Sequence, residues 1–161
     1  MVMFSKFIAF FLVTLSSSVF QTEADDKFLE SVHLVAEVSN ANPKKGEAIT
    51  VVYKLYVSHD VGISGWEELK EPTYAKFDSE NIELETVKVE KGNYKGKPYR
   101  YVIFRKTNLI PTHVGSLQIE PHQLRVTADF PSKEKNVFGM PELKPHTKIL
   151  QTNTITVNVK S

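Results

Sequence analysis

The chain contains no cysteine. That absence removes disulfide staples, thiolate nucleophiles, sulfur-based zinc sites and iron–sulfur clusters together, because each needs the sulfur atom itself. Charge of a prevailing sign is also missing: 20 Lys and Arg stand against 19 Asp and Glu, a net of +1. No overall field gathers phosphate backbones or anionic lipid, so nucleic acid is not an expected partner. The motifs that hold phosphates, metals and activated nucleophiles are absent too. There is no Gly-x-x-x-x-Gly-Lys loop, no Gly-x-Ser-x-Gly elbow, no His-Glu-x-x-His pair and no Asp-rich calcium loop. No catalytic residue, metal or cofactor is expected. Helical periodicity of 3.6 residues is nearly lacking, which leaves few helices on which to mount such chemistry.

Long apolar runs are scarce, and the one at the start is informative. Lys6 precedes Phe7, Ile8, Ala9, Phe10, Phe11, Leu12 and Val13, and Ser16, Ser17 and Ser18 follow. A basic start, a short apolar core and a small-residue exit make a secretory signal peptide. The run falls short of the about 20 apolar residues that span a bilayer. Ala24, with Thr22 two residues before it, is an expected cleavage position, and a cut near Ser18 fits the same pattern. Residues 1–24 therefore read as a leader and 25–161 as one exported domain, in a periplasm or at the cell exterior.

The remainder is dominated by period two. Val32, Leu34, Ala36 and Val38 alternate with polar residues, and after the turn cluster Asn42 to Gly46 the residues Ile49, Val51, Tyr53, Leu55 and Val57 share one face. These two strands either pair directly or lie in opposite sheets. Ile82 and Leu84 give way to Val87 and Val89 with a change of phase near Thr86, as at a bulge, with Val87 and Val89 inward. Tyr99 to Arg105 reads as a central strand with Tyr101 and Ile103 toward the core and Val102 and Phe104 under a loop or partner. Leu117 and Ile119, then Leu124 to Phe130, then Ile155 to Val159 complete the set, while Pro131 to Pro145 reads as an extended loop. Seven to eight short strands between Gly and Pro turns predict an all-β, antiparallel, immunoglobulin-like β-sandwich.

Recognition is expected at loops. Val61 to Trp66 places Ile63 and Trp66 between glycines in a loop-like stretch, and Tyr74 and Phe77 follow; these four are the candidate binding residues. The segment 131–148 is a further candidate. Acidic residues crowd Glu67 to Glu90 and basic ones Lys91 to Lys106, which on neighbouring strands pair and solvate a face. A carbohydrate-binding sandwich, with an aromatic stacked on sugar, is a rival reading. A metal-dependent hydrolase built on His59, Asp60 and His113 or His122 is another.

Three segments carry a family resemblance: Tyr99-Arg-Tyr-Val-Ile-Phe-Arg; Leu109-Ile-Pro-Thr-His-Val-Gly115 running into Leu117-Gln-Ile-Glu-Pro121; and Thr152 to Val159. Together with Val35-Ala-Glu-Val-Ser and Gly46-Glu47, they resemble the repeated domain of the bacterial oxygen-tolerance family BatD. The resemblance covers the whole mature chain as one unit and marks strands and corners. It implies an exported, non-enzymatic envelope protein with a part in oxygen or stress tolerance, associated with partners that carry von Willebrand factor A domains. Members commonly continue to a membrane helix, whereas this sequence stops two residues after Val159. Membrane association is then indirect or through a segment beyond Ser161.

Overall fold

The computed structural model describes residues 18–161. Helix α1, Ser18–Ser31, leads into β1, Val32–Val38, where branched residues replace helix formers. The expected leader lies outside the described residues up to residue 17. Its remainder, Ser18 to Ala24, forms the first half of α1. Phe28 is the anchor of this helix, fully buried with its ring 5.7 Å from that of Phe130. Asp25 meets Lys148 at 2.6 Å, and the Glu30 carbonyl at the helix end accepts a hydrogen bond from the Tyr99 hydroxyl at 2.8 Å. No helix among the described residues is long and apolar enough to cross a membrane.

Strand β2, Ile49–Val57, pairs antiparallel with β1 from Val32 opposite Val57 to Val38 opposite Val51. The two strands that sequence left open thus form a direct pair in one sheet. Next come β3, Gly62–Lys70, then β4, Phe77–Ile82, then β5, Val89–Tyr94, then the long β6, Lys97–Pro111. The chain finishes with β7, Gly115–Ile119, β8, Gln123–Lys135, β9, Pro141–Gln151, and β10, Ile155–Val159. One sheet has the order β1-β2-β6-β4, with β5 beside β4 on the same edge of β6. The facing layer consists of β3-β8-β9 and the pair β7-β10.

That layer is one long hairpin broken once in each arm. Pro121 has no N–H to give, and at this level the ladder passes to side chain and backbone: the Thr152 N–H donates to the His122 carbonyl, and the His122 N–H to the Thr152 hydroxyl, both at 2.9 Å. With the broken arms joined, the ten runs count as eight strands. The sheet orders become those of an immunoglobulin-like sandwich, A-B-E-D against C-F-G, with β5 as an addition. Each half of the broken layer covers its own core. Leu34, Leu55, Leu124, Val126 and Phe130 pack with Phe28 in one cluster. Ile49, Val51, Tyr53, Leu109, Ile119 and Val157 pack in the other, and Phe104 touches both.

Four sequence expectations are corrected by this arrangement. Trp66 lies in strand β3, opposite Val126, and not in a loop. The segment Pro131 to Pro145 is no extended loop: it carries β8 and β9 out to a short turn at Asn136 to Met140. Val87 and Val89 are exposed, because the stretch 83–88 leaves the sheet between β4 and β5 instead of bulging within one strand. On β6 the faces are reversed. Val102 and Phe104 pack on the core, while Tyr101 turns outward against Tyr56 with ring centroids 5.2 Å apart. The cause is a register shift, in which Tyr53 faces Arg105 but Lys54 faces Ile103, making Phe104 the extra residue.

The outward Tyr101 ring lies over Gly92, where an added Cβ meets its Cε1 at 2.8 Å. Gly92→Ala is expected to displace this ring and lower stability by about 1–3 kcal/mol in urea unfolding.

Candidate functional site

The side of the sandwich away from α1 is open. There β3 is the edge of one layer, pairing only with β8, and the broken β4/β5 edge belongs to the other. β4 covers Lys106 to Pro111 and β5 covers Lys97 to Val102, so Ile103, Phe104 and Arg105 have no strand partner on that side. Residues 83–88 arch over the gap.

At one end of this seam lies an apolar groove of about 430 Å³, lined by Ile63 and Trp66 of β3, Val87 and Val89 of the arch and β5, and Leu55 and Val102 below. Ile63 and Trp66 are three residues apart, a spacing that sends side chains to opposite faces of a regular strand. A bulge at Ser64 resets the alternation: Ile63 faces Ala128 and Gly65 faces Thr127, so Ile63 and Trp66 both turn between the layers. Trp66 remains 44% exposed and Val89 67% exposed, which makes this an open apolar surface with a strand edge running beside it.

The other end of the seam is polar. The Arg105 guanidinium donates to Glu71 at 3.0 Å and lies 3.7 Å from Glu68, with Asn81 Oδ1 at 3.4 Å. Burial works against its charge, and the Glu71 carboxylate more than offsets this, so Arg105 stays firmly protonated. Asn81 Oδ1 also accepts from the Thr107 hydroxyl, which accepts from Tyr74, whose oxygen lies 3.0 Å from that of Tyr53. Burial, reinforced by this hydrogen bond, raises the Tyr53 phenol out of the range in which it titrates.

Behind Arg105 sits His122, fully buried, edge-on to the rings of Tyr53 and Phe104. Neither of its ring nitrogens has a hydrogen-bond partner, and Nε2 is 3.9 Å from Glu68. Burial first, and the Arg105 charge second, lower its pKa to about 4.

Of the four residues singled out from sequence, Ile63 and Trp66 therefore meet in the groove. Tyr74 is a link in the interlayer hydrogen-bond chain, and Phe77 is a buried member of the second core cluster. His59 and Asp60 occupy an exposed turn after β2, where the Ser58 hydroxyl holds the Asp60 carboxyl below its usual range. Among the described residues no group of three or more His, Asp or Glu is placed to hold a metal ion. The acidic and basic runs do meet, in part, through Arg105 with Glu68 and Glu71. Sequence reasoning named His122 only as a rival metal ligand and Val87 and Val89 only as inward strand residues, and it did not place them or Arg105 at the seam. The change of phase near Thr86 was the signal that marked the arch.

No protein-family model, curated protein or solved structure matches this chain.

Proposed function

We propose that the chain is an exported, non-enzymatic interaction module of the bacterial envelope, akin to the BatD unit that its sequence resembles. It takes an extended segment of a partner protein along the open edge of β3. The observation that carries this reading is the apolar groove at Ile63, Trp66, Val87 and Val89 directly beside an unpaired strand edge. A strand edge supplies main-chain hydrogen bonds without regard to sequence, and a neighbouring pocket supplies the choice of side chain. The polar end adds a charged station at Arg105 and Glu68, so the preferred segment presents an apolar residue followed by polar ones. Partners with von Willebrand factor A domains, and a part in oxygen or stress tolerance, follow from the resemblance and belong to the same proposal.

A pull-down from envelope extract tests it, using the mature chain beside Trp66→Ala and Val89→Asp. Recovery of the partner is expected to fall about tenfold or more with either variant, since a buried aromatic anchor typically carries about 2 kcal/mol or more of binding. Equal recovery by all three removes the groove from consideration. The half-exposed Trp66 is the one feature that favours sugar stacking as a second reading. A change of its emission on a glycan panel, with no protein captured, selects that reading.

A further inference from the structure

The most exposed apolar residues of the described chain lie far from the groove, at the tip of the β8–β9 hairpin. Val137 is 93% exposed and Phe138 82%, and Met140 and Leu143 are also well exposed. The turn is ordered by its own hydrogen bonds. The Asn136 N–H donates to the Met140 carbonyl at 2.8 Å, and Gly139, at φ +77, donates back to the Asn136 carbonyl. The Asn136 side-chain oxygen accepts from the amides of both Phe138 and Met140. So many bonds hold Val137, Phe138 and Met140 on the outside, where a flexible loop of this composition would fold them away. The presentation is fixed before any contact is made, so little ordering cost is left for binding.

Lysines stand just behind this tip. Lys133 and Lys135 make no ion pair among the described residues, Lys144 is paired with Glu134 at 3.0 Å, and Glu142 stands just behind Pro141, so the three lysines outnumber the two acids of the hairpin end by one. At about 3.3 Å per strand residue, the backbone at Lys135 lies roughly 7 Å behind the apolar end and that at Lys133 and Lys144 roughly 13 Å behind it. That is of the order of the about 5–10 Å by which interfacial elements sink into the headgroup boundary. An open hollow of about 710 Å³, lined by Pro131, Asn136, Met140, Pro141, Glu142 and Leu143, flanks the tip, and the near-neutral net charge of the whole chain does not prevent nearby lysines from acting at short range.

We propose that the β8–β9 tip is an anchor for an anionic bilayer surface: Val137, Phe138 and Met140 enter the interface while Lys133, Lys135 and Lys144 meet the headgroups. This surface is separate from the groove and stands or falls without it. It gives the domain a peripheral, reversible hold on a membrane.

The test is flotation of the mature chain, residues 25–161, with vesicles of phosphatidylcholine alone or with one third phosphatidylglycerol. The chain is expected to partition onto the anionic vesicles and much less onto the neutral ones. Phe138→Asp is expected to reduce partition at least tenfold. The pair Lys133→Glu and Lys135→Glu is expected to reduce it about tenfold on anionic vesicles only. Both sites are exposed, so circular dichroism of the variants is expected to match the parent. Because the chain has no cysteine, Met140→Cys accepts a single environment-sensitive dye, which is expected to shift to the blue with anionic vesicles while the same dye at Ser116→Cys on β7 does not. A chain that stays unbound, or that partitions equally onto both compositions, overturns the proposal. So does a dye at position 140 that responds to envelope proteins but not to vesicles, which identifies a protein socket instead.

Discussion

Lowering the pH from 7 to 4 is expected to remove about 3 kcal/mol of folding stability through His122 alone. In the unfolded chain this imidazole titrates near 6.5, and in the folded chain near 4, because burial and the Arg105 charge oppose its protonation. Between those values the unfolded chain binds a proton that the folded chain refuses. Stability therefore declines as the pH falls through this window and levels off below it. The Glu71 carboxylate works in the opposite direction without prevailing, and Glu68, at 3.9 Å from Nε2, is too distant for a good hydrogen bond. His33, also lowered by burial, adds to the slope in parent and variant alike. Asp60 and Glu120, held below their ordinary values, give up their contributions only as the pH drops further, through their folded pKa values. Urea unfolding at pH 7 and pH 4 measures the effect, and His122→Leu is expected to lose most of it. A variant with the same slope as the parent assigns the pH dependence elsewhere.

Phe28→Ala is expected to cost about 3–5 kcal/mol, the range for truncating a fully buried aromatic. Among the described side chains of α1, Phe28 is the large apolar one that is buried, and it belongs to the core cluster with Phe130 and Leu124. Its loss opens a cavity and also frees the helix, since the Asp25 to Lys148 pair is partly solvated and holds little by itself. The neighbouring Leu29, 53% exposed, serves as the control, and Leu29→Ala is expected to change stability by less than about 0.5 kcal/mol. A loss below about 1 kcal/mol for Phe28→Ala, with unchanged helical signal, shows that α1 does not depend on this contact. A cut after Ala24, the leader end expected from sequence, would leave Phe28 in place.

Strand β2 was legible from its residues, because Ile49, Val51, Tyr53, Leu55 and Val57 alternate without a break and all five are buried. The seam was not legible, because what makes it is pairing. Ile63 and Trp66 share a face only through the bulge at Ser64, which exists by virtue of how β3 aligns with Ala128 and Thr127. The faces of β6 were misassigned for the same reason, since the displaced residue Phe104 is defined by β2 across from it. Prolines misled the reading of the terminal hairpin. Pro131 lies beyond the end of β3, so β8 has only β9 beside it there, and Pro141 and Pro145 lie on an edge strand where a missing N–H faces solvent. Pro121 announced an interruption correctly, but nothing in its neighbourhood announced that the His122 ring turns inward among aromatics.

The two irregularities of β3, at Ser64 and Leu69, have a bearing on how this protein survives with an uncovered border. A flat, even border templates any extended chain that drifts past, including misfolded siblings, and so seeds fibres. Here the kinks interrupt the spacing of free amides and carbonyls, and Glu67 and Glu68 stand between them. On the proposed reading, a newcomer must carry matching offsets and fit beside the Glu67–Arg125 and Glu68–Arg105 pairs, so the border would discriminate by rhythm as well as by chemistry and disfavour promiscuous stacking.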